Sequence, residues 1–332
     1  MFSGGLCRVE TNFKRMKFSY IRNMSHLCSW KIYTAMKQRI YIICTCFALC
    51  FAAAQGQLLY RISGKGLEKP SYLFGTHHLA PLSILDSIPY INNVLDTADA
   101  VAGEIEMAGI SQMEMANRIM PYMIAPADST LSQVLPDSVY SRVNASFQSI
   151  TNMRLELFEG LCPMATQTIA AMAMIKVDFS GNEGQLDSFL QNEGKKRGKA
   201  IMGFETVEEQ ATILYRSKSI REQAEDLVKF LDDPDKETAN ARNLNAKYMA
   251  HDLEGIYILS REESDDPAFW KRLLTDRNNN WLCKMPEMMS TQSVLFAVGA
   301  LHLAGDEGLI EGLRKMGYTV TPMDDRQNCT AE

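Results

Sequence analysis

The sequence GTHHLA at residues 75–80 returns near the other end of the chain as GALHLA at residues 299–304. Both stretches read Gly-x-x-His-Leu-Ala, both follow a short apolar run, and both precede a helical pattern and a further strand-like run. The chain has only five histidines, so the presence of two in one repeated phrase indicates a shared role. The repeat predicts two similar strand–loop–helix–strand units.

The repeated phrase places an imidazole just beyond the carboxyl end of a strand. A glycine there lets the backbone turn or approach another group closely, and this edge of an open α/β sheet is where ligands bind. If the two strands are neighbours, His78 and His302 point into one crevice. Glu104 ends a strand pattern at residues 100–106 and is expected near the first His strand. Two imidazoles and a carboxylate suit either a metal site or acid–base chemistry.

The apolar pattern around the first copy predicts how His78 is delivered. Runs at residues 58–62 and 70–74, separated by a glycine-rich turn, favour a hairpin whose second strand leads into the phrase. A helical pattern from about residue 86 then leads to the strand at residues 100–106. Together these elements have the size of a βαβ unit.

The second copy has the same surroundings. A strand pattern at residues 294–298 precedes it, and a helix follows for which Asp306 is the expected N-cap and Gly317 the residue after the C-terminus. A last strand is expected at residues 318–323. This is a second βαβ unit with a histidine in its first loop.

The stretch between the two units, about residues 107–290, reads as a mostly helical insertion. It contains one strand pattern at residues 199–204, and Asp-Pro pairs at 233–234 and 266–267 predict helix boundaries. We therefore predict an α/β fold. Its central mixed sheet is built from two similar strand-GxxH-helix-strand halves that are separated by a large helical insertion.

The start of the chain reads as an export leader. Residues 40–54 form an apolar run that follows Met36 and two basic residues and ends in an Ala-x-Ala pattern, as in a secretory signal peptide. The predicted divisions are an upstream extension at residues 1–35, a signal peptide at residues 36–54 and a single domain at residues 55–332. We expect a periplasmic or secreted protein without a stable membrane span in the mature chain. A lipoprotein anchor at Cys50 and an uncleaved anchor helix are the alternatives.

Composition limits the class of partner and the compartment. The net charge is −6 and the pI about 5.5, and no basic stripe is present, so nucleic acid is not an expected partner. No CxxC pair is present, which argues against a structural zinc cluster. In an oxidising compartment we expect Cys283 and Cys329 to pair and Cys162 to stay buried and free.

Several phrases together resemble the TraB/GumN family, which includes Tiki-type proteins, within the broader erythromycin-esterase/ChaN-like group. The resemblance covers nearly all of the mature chain. It rests on FGTHH at residues 74–78, GEIE at 103–106, GFET at 203–206 with Gln210, Arg277-Asn278, and VGALHL at 298–303. The resemblance implies a metal-dependent protease with His78, His302 and Glu104 as the metal ligands. The ion would be Mn, Co or Zn, and the choice among them stays open.

From these residues we interpret the chain as a metal-dependent hydrolase that cleaves peptide bonds outside the cytoplasm, with a peptide or protein as substrate. The general base would be Glu205 or Glu106, and Arg277 would stabilise the oxyanion. Glu104 would belong to the catalytic group as well as to the metal ligands.

Two other functions remain open from the sequence alone. The first is a metal-free hydrolase in which one histidine is the base and Glu104 orients it. The second is a non-enzymatic protein that captures a peptide or haem between the two histidine loops. The other three histidines, His26, His77 and His251, are expected to take no direct part in either case.

Overall fold

The computed structural model of this chain describes residues 57–175 and 185–323. The predicted upstream extension, the signal peptide and its alternatives, and Cys329 lie outside the described residues. The division into domains and the Cys283–Cys329 pair therefore stay predictions, while Cys162 is buried as expected. Among the described residues, no helix has both the length and the apolar character needed to cross a bilayer.

Six strands form one mixed sheet, which confirms the predicted fold class. The strands are β1 Leu59–Ser63, β2 Ser71–Thr76, β3 Ala100–Ile105, β4 Ala200–Glu205, β5 Val294–Gly299 and β6 Thr319–Pro322. Their order across the sheet is β4-β3-β5-β2-β1-β6. The four strands from β4 to β2 are parallel, and β1 pairs antiparallel with both β2 and β6.

The sequence of each central strand explains its place in the sheet. β2, β3 and β5 read SYLFGT, AVAGEI and VLFAVG, and nearly every residue in them is buried. Such unbroken apolar runs are typical of parallel strands that are covered on both faces. The predicted hairpin of β1 and β2 is confirmed, and residues 64–66 make its turn with positive φ angles.

The two Gly-x-x-His strands are direct neighbours. β2 and β5 run parallel with Gly75 opposite Val298 and Thr76 opposite Gly299, so both phrases leave the sheet at the same edge. β3, which carries Glu104, lies beside the second His strand and is one strand away from the first, because β5 inserts between β2 and β3.

Thirteen α-helices occur in the described residues. They are α1 Ile91–Thr97, α2 Gln112–Met123, α3 Leu131–Val134, α4 Asp137–Thr151, α5 Pro163–Ile175, α6 Leu186–Lys196, α7 Val207–Arg216, α8 Ile220–Asp232, α9 Pro234–Met249, α10 Leu253–Glu263, α11 Pro267–Trp270, α12 Asp276–Met289 and α13 Leu309–Lys315. A 3-10 turn at Leu82–Ser87 precedes α1, and a π-turn at Lys271–Thr275 leads into α12.

The helix ends that the sequence predicted are found in the structure with one exception. Asp233 and Asp266 accept backbone N–H groups at the starts of α9 and α11, so both predicted Asp-Pro boundaries are confirmed. The exception is α13, whose N-cap is Gly308 and not the expected Asp306. The chain turns so tightly there that a Cβ on Gly308 would lie 2.3 Å from the Ala304 carbonyl oxygen.

Candidate functional site

A cavity of about 320 Å³ opens at the carboxyl ends of β2, β3 and β5. Its wall combines the ends of these strands with α7, α9, α10, the π-turn and α12. The residues that line it and take part in the argument below are His77, His78, Glu104, Gln210, Tyr248, Arg277 and His302. The two repeated phrases therefore meet in one cleft, at the edge of the sheet where α/β proteins bind ligands.

His302 lies on the floor of the cleft and is fully enclosed by protein. Its Nδ1 is 2.7 Å from Asn278 Oδ1, and its Nε2 is 3.1 Å from Arg277 Nη1. A guanidinium can only donate, so Nε2 accepts and the imidazole proton sits on Nδ1. The ring also packs on Trp281 at 4.4 Å between centroids. Burial lowers the pKa of His302 to about 4, which keeps the imidazole neutral.

Arg277 joins the histidine to two carboxylates. It makes a forked contact with Glu205 at 2.9 Å, donates to Glu104 at 2.6 Å, and also donates to the Leu273 carbonyl. With the contact to His302, all five N–H groups of the guanidinium are used inside the protein. In this arrangement Arg277 has no free N–H group to donate to a substrate oxyanion. It can affect the cleft only by holding Glu104, Glu205 and His302 in place.

Glu104 stays charged although it is buried. Burial disfavours the carboxylate, but the charges of Arg277 and His78 and the hydrogen bond from the Gly299 amide outweigh that effect and hold the pKa of Glu104 below its ordinary value. Gln210 and the Gly299 amide each donate to it at 2.9 Å. Two carboxylates, those of Glu104 and Glu205, therefore meet the single guanidinium of Arg277 in this cluster.

Glycine at position 299 permits the carboxylate to come this close. A Cβ at that position would lie 3.0 Å from Glu104 Oε1, the same atom that accepts from the amide of Gly299. Gly299, the glycine of the second Gly-x-x-His phrase, thus allows an acid from the neighbouring strand to come close. The sequence predicted that a glycine here would permit such a close approach.

His78 stands at the mouth of the cleft with 58% of its side chain exposed. Its Nδ1 is 2.9 Å from Asp187 Oδ2, and the other oxygen of Asp187 accepts from the Thr76 hydroxyl. The charge of Asp187 raises the pKa of His78 to about 9. No hydrogen-bond partner of His78 Nε2 is found among the described residues, so this nitrogen is free to face a ligand.

The remaining predicted residues divide between the cleft and the surface. Glu205 reaches the cluster from the end of β4 and also accepts from Trp281 Nε1 at 2.9 Å. Glu106 is exposed beyond the end of β3 and does not line the cavity. His77 lines the wall against the Tyr248 ring, 5.2 Å away, whereas His251 contacts Ser87 outside the cleft.

Two residues that sequence reasoning did not select complete the site. Asp187 lies in the first turn of α6, where an acid is ordinarily explained by the helix dipole. Trp281 lies one turn after Arg277 in α12, and its ring packs against both Arg277 and His302. Neither belongs to a repeated phrase, so only their contacts in the folded chain reveal the role.

The side chains meet one requirement of a metal centre and miss another. His78 and His302 each have an oxygen acceptor on Nδ1, which is how metal-binding imidazoles are oriented in proteins. Within the described residues, however, no group of three His, Cys, Asp or Glu side chains is close enough to hold an ion. His302 Nε2 and Glu104 Oε1 are 3.9 Å apart, and Arg277 contacts both side chains. As placed, the residues do not form a three-ligand centre.

Fold and site together define an α/β protein in which two Gly-x-x-His strand ends meet in one cleft. The chain belongs to the TraB/PrgY/gumN family, which it matches over residues 58–322. The resemblance expected from the motifs is therefore confirmed.

Two curated relatives show what the chain is similar to. It is 23% identical over 320 residues to a protein named metalloprotease TIKI homolog from Amphimedon queenslandica, covering 81% of this chain and 62% of that protein. It is 23% identical over 306 residues to metalloprotease TIKI2 from Danio rerio, covering 76% of this chain and 58% of that protein. The chain thus spans less than two thirds of either relative. No solved structure gives a significant match.

Proposed function

We propose that this chain hydrolyses peptide bonds in the cleft between its two Gly-x-x-His strand ends. The observation that carries the proposal is the register of β2 and β5, which brings His78 and His302 to one cavity beside a charged, buried Glu104. The relatives named as metalloproteases support peptide or protein as the substrate class. In the reaction, water adds to the carbonyl carbon, the C–N bond breaks and the amine leaves with a proton.

A divalent ion, Mn, Co or Zn, belongs to the proposal as cofactor, with His78, His302 and Glu104 as its ligands. When bound, such an ion polarises the carbonyl and lowers the pKa of a water molecule. Nε2 of His78 has no hydrogen-bond partner among the described residues, and His78 must lose a proton before this nitrogen can bind a cation, because Asp187 raises its pKa. For His302 to join, its Nε2 must exchange Arg277 for the ion, because that lone pair is already in use.

The roles of the other residues follow from their contacts. Asp187 holds the ring of His78 through Nδ1, and Asn278 does the same for His302. Arg277 positions Glu104 and Glu205. Neither Glu205 nor Glu106 lines the cavity itself. Glu205 is the proposed general base of the two, since it contacts Arg277, which does line the cavity, whereas Glu106 is exposed.

A metal-free hydrolase is the second candidate, and one contact favours it. His78 and Asp187 form an imidazole–carboxylate pair at 2.9 Å, which could move a proton at His78 Nε2 without an ion. In this version Asp187, not Glu104, orients the histidine.

Action outside the cytoplasm is part of the same proposal. It rests on the leader-like sequence at residues 36–54, which lies outside the described residues.

The test combines metal analysis with peptide cleavage. Protein purified without chelator is assayed for bound metal and for turnover of a fluorogenic peptide library, then stripped with chelator and reloaded with Mn²⁺, Co²⁺ or Zn²⁺. Loss of cleavage on stripping and its return on reloading supports the metal-dependent hydrolase. Cleavage that survives complete stripping supports the metal-free version. Absence of turnover on every peptide with metal bound contradicts the proposal as a whole.

A further inference from the structure

A second cavity, of about 230 Å³, lies beside the cleft. It shares two wall residues with the cleft, Leu244 of α9 and Ser260 of α10. The rest of its wall comes from α5, α8 and the far ends of the same two helices, and is mainly apolar, with Ala171, Met174, Phe230, Ala241 and Leu259. The two cavities therefore adjoin along the pair of helices α9 and α10.

One face of α9 lines both cavities, so the two form one continuous groove along this helix. Glu237, Ala241, Leu244 and Tyr248 follow each other at intervals of four, three and four residues, so they share one face of α9. Tyr248 lines the cleft and anchors the helix there by donating to the Gly75 carbonyl at 2.9 Å, while Glu237 lines the far cavity. The eleven-residue step from Glu237 to Tyr248 spans about 16 Å of helix, the length of about five residues of extended peptide.

The far end of this groove is acidic. Glu237 and Glu263 both line the second cavity, and its described wall contains no lysine or arginine. Glu263 is paired with Lys236 at 3.1 Å outside the cavity. Glu237 makes no ion pair within 4 Å among the described residues, and burial raises its pKa, although the charges of Lys236 and Lys229 act on it at longer range. Its carboxylate oxygens are therefore available to pair directly with a cationic group in the cavity.

Asn240 adds a second polar group at the same place. Its Nδ2 is buried and has no hydrogen-bond partner among the described residues. An amide N–H in this position can donate to a carbonyl oxygen, which every residue of a bound peptide offers. The apolar wall, the free amide and the free carboxylate match a long side chain that ends in a positive charge.

We propose that the groove between α9 and α10 extends the cleft as a subsite for substrate, and that Glu237 selects a lysine or arginine side chain about five residues from the scissile bond. The selection rests on the proposed peptide hydrolysis. The aliphatic part of the basic side chain would pack on Phe230 and Leu259, and its charge would pair with Glu237.

The test uses the full chain and a set of fluorogenic peptides in which lysine, norleucine or glutamate is moved through successive positions. We expect one position at which lysine raises kcat/KM about tenfold over norleucine, the size of one charge-assisted hydrogen bond. Glu237→Gln should remove this preference, and Glu237→Lys should shift it toward glutamate. Asp235→Asn is the matched control, because Asp235 lies in the same first turn of α9 and does not line the cavity.

Anisotropy titrations with the same peptides separate this inference from the proposed function. A lysine preference in binding that Glu237→Gln abolishes supports the subsite even if no peptide is cleaved. Equal binding and equal cleavage of lysine and norleucine peptides at every position overturns the subsite. The subsite is also overturned if Asp235→Asn removes the lysine preference as fully as Glu237→Gln does. The preference would then depend on the net charge of this region and not on Glu237.

Discussion

Arg277 Nη1 lies 3.1 Å from His302 Nε2, and this contact decides which nitrogen of the imidazole carries the proton. Because the guanidinium always donates, the histidine must accept there and donate to Asn278 from Nδ1. The tautomer that this contact imposes is also the one that a metal ligand binding through Nε2 would need. Arg277 thus keeps His302 in the tautomer that could bind a metal through Nε2, while its own guanidinium occupies that nitrogen.

The first prediction concerns the stability that Arg277 provides. Arg277→Met leaves Glu104 and Glu205 buried without a counter-charge, and breaking a buried ion pair in this way lowers the free energy of unfolding by about 3–5 kcal/mol. Urea unfolding followed by circular dichroism measures the loss. Arg142→Met, which removes an exposed pair with Asp232, should lower it by less than about 1 kcal/mol. Equal losses in the two variants would contradict the buried-cluster interpretation.

The second prediction concerns the two histidines as one unit. If His78 and His302 share an ion, His78→Ala and His302→Ala should each abolish metal binding, and the double variant should be no worse than either single variant. Metal stoichiometry, with circular dichroism to confirm folding, is the measurement. His251→Ala serves as the control, because His251 lies outside the cleft. Full metal occupancy in a folded His302→Ala protein would show that the repeat does not build one site.

The third prediction concerns Asp187, which orients His78 through Nδ1. Asp187→Asn keeps the size of the side chain but removes the charge that holds the ring. Loss of such a partner behind a metal-binding histidine lowers metal affinity or activity about 10–100-fold. Titration with Mn²⁺ or Zn²⁺ tests affinity directly, and Asp137→Asn, an acid in the first turn of α4, is the control. Unchanged affinity and unchanged kcat/KM would remove Asp187 from the site.

The fourth prediction concerns the close approach at Gly299. In Gly299→Ala the new methyl group meets Glu104 Oε1 at 3.0 Å and displaces the carboxylate. We expect kcat/KM to fall at least about tenfold while the free energy of unfolding falls by about 1–3 kcal/mol, the usual effect of overpacking. Gly160→Ala is the control, since nothing lies within 4 Å of the added Cβ and its φ is ordinary. Wild-type activity in Gly299→Ala would mean that Glu104 needs no fixed position.

The fifth prediction concerns export. A chain started at Met36 should be exported and trimmed near Gln55, because a basic start, an apolar run and an Ala-x-Ala pattern come in the order of a signal peptide. Intact-mass measurement of protein from the periplasm or medium of a bacterial host gives the new N-terminus. An arginine in place of Leu49 should block export by interrupting the apolar run. An untrimmed chain in the cytoplasm would contradict the prediction.

The sequence predicted the elements of the fold better than their arrangement. Each run with a clear period, including both copies of the repeat, became the expected strand or helix, because local pattern decides these elements. Strand order is not local. The insertion of β5 between β2 and β3 depends on packing across nearly 200 residues, and no pattern in either strand specifies that neighbour.

The residues of the candidate site also fall into two groups, those that local sequence predicts and those that it does not. His78, His302, Glu104, Glu205 and Arg277 could be selected from local phrases. The structure brings four of them to one cleft, and Glu205 contacts Arg277 beside it. Asp187 could not, because its position at a helix start has an ordinary explanation and its partner is 109 residues away. Glu106 lies just beyond the last residue of β3, Ile105, and is exposed, so the local phrase did not indicate that its side chain lies outside the cleft.

The central position of β5 also has a consequence for how the chain matures during synthesis. β5 supplies the pairing edge for both β2 and β3, yet it lies near the end of the sequence. A nascent chain that stops before residue 294 has two separate pairs of strands, β1–β2 and β3–β4, and lacks His302. The pairing of β5 with these distant segments is slow to form. The cleft between the two histidine strand ends therefore cannot assemble until residues 294–302 have emerged, so the proposed hydrolysis would begin only after that point.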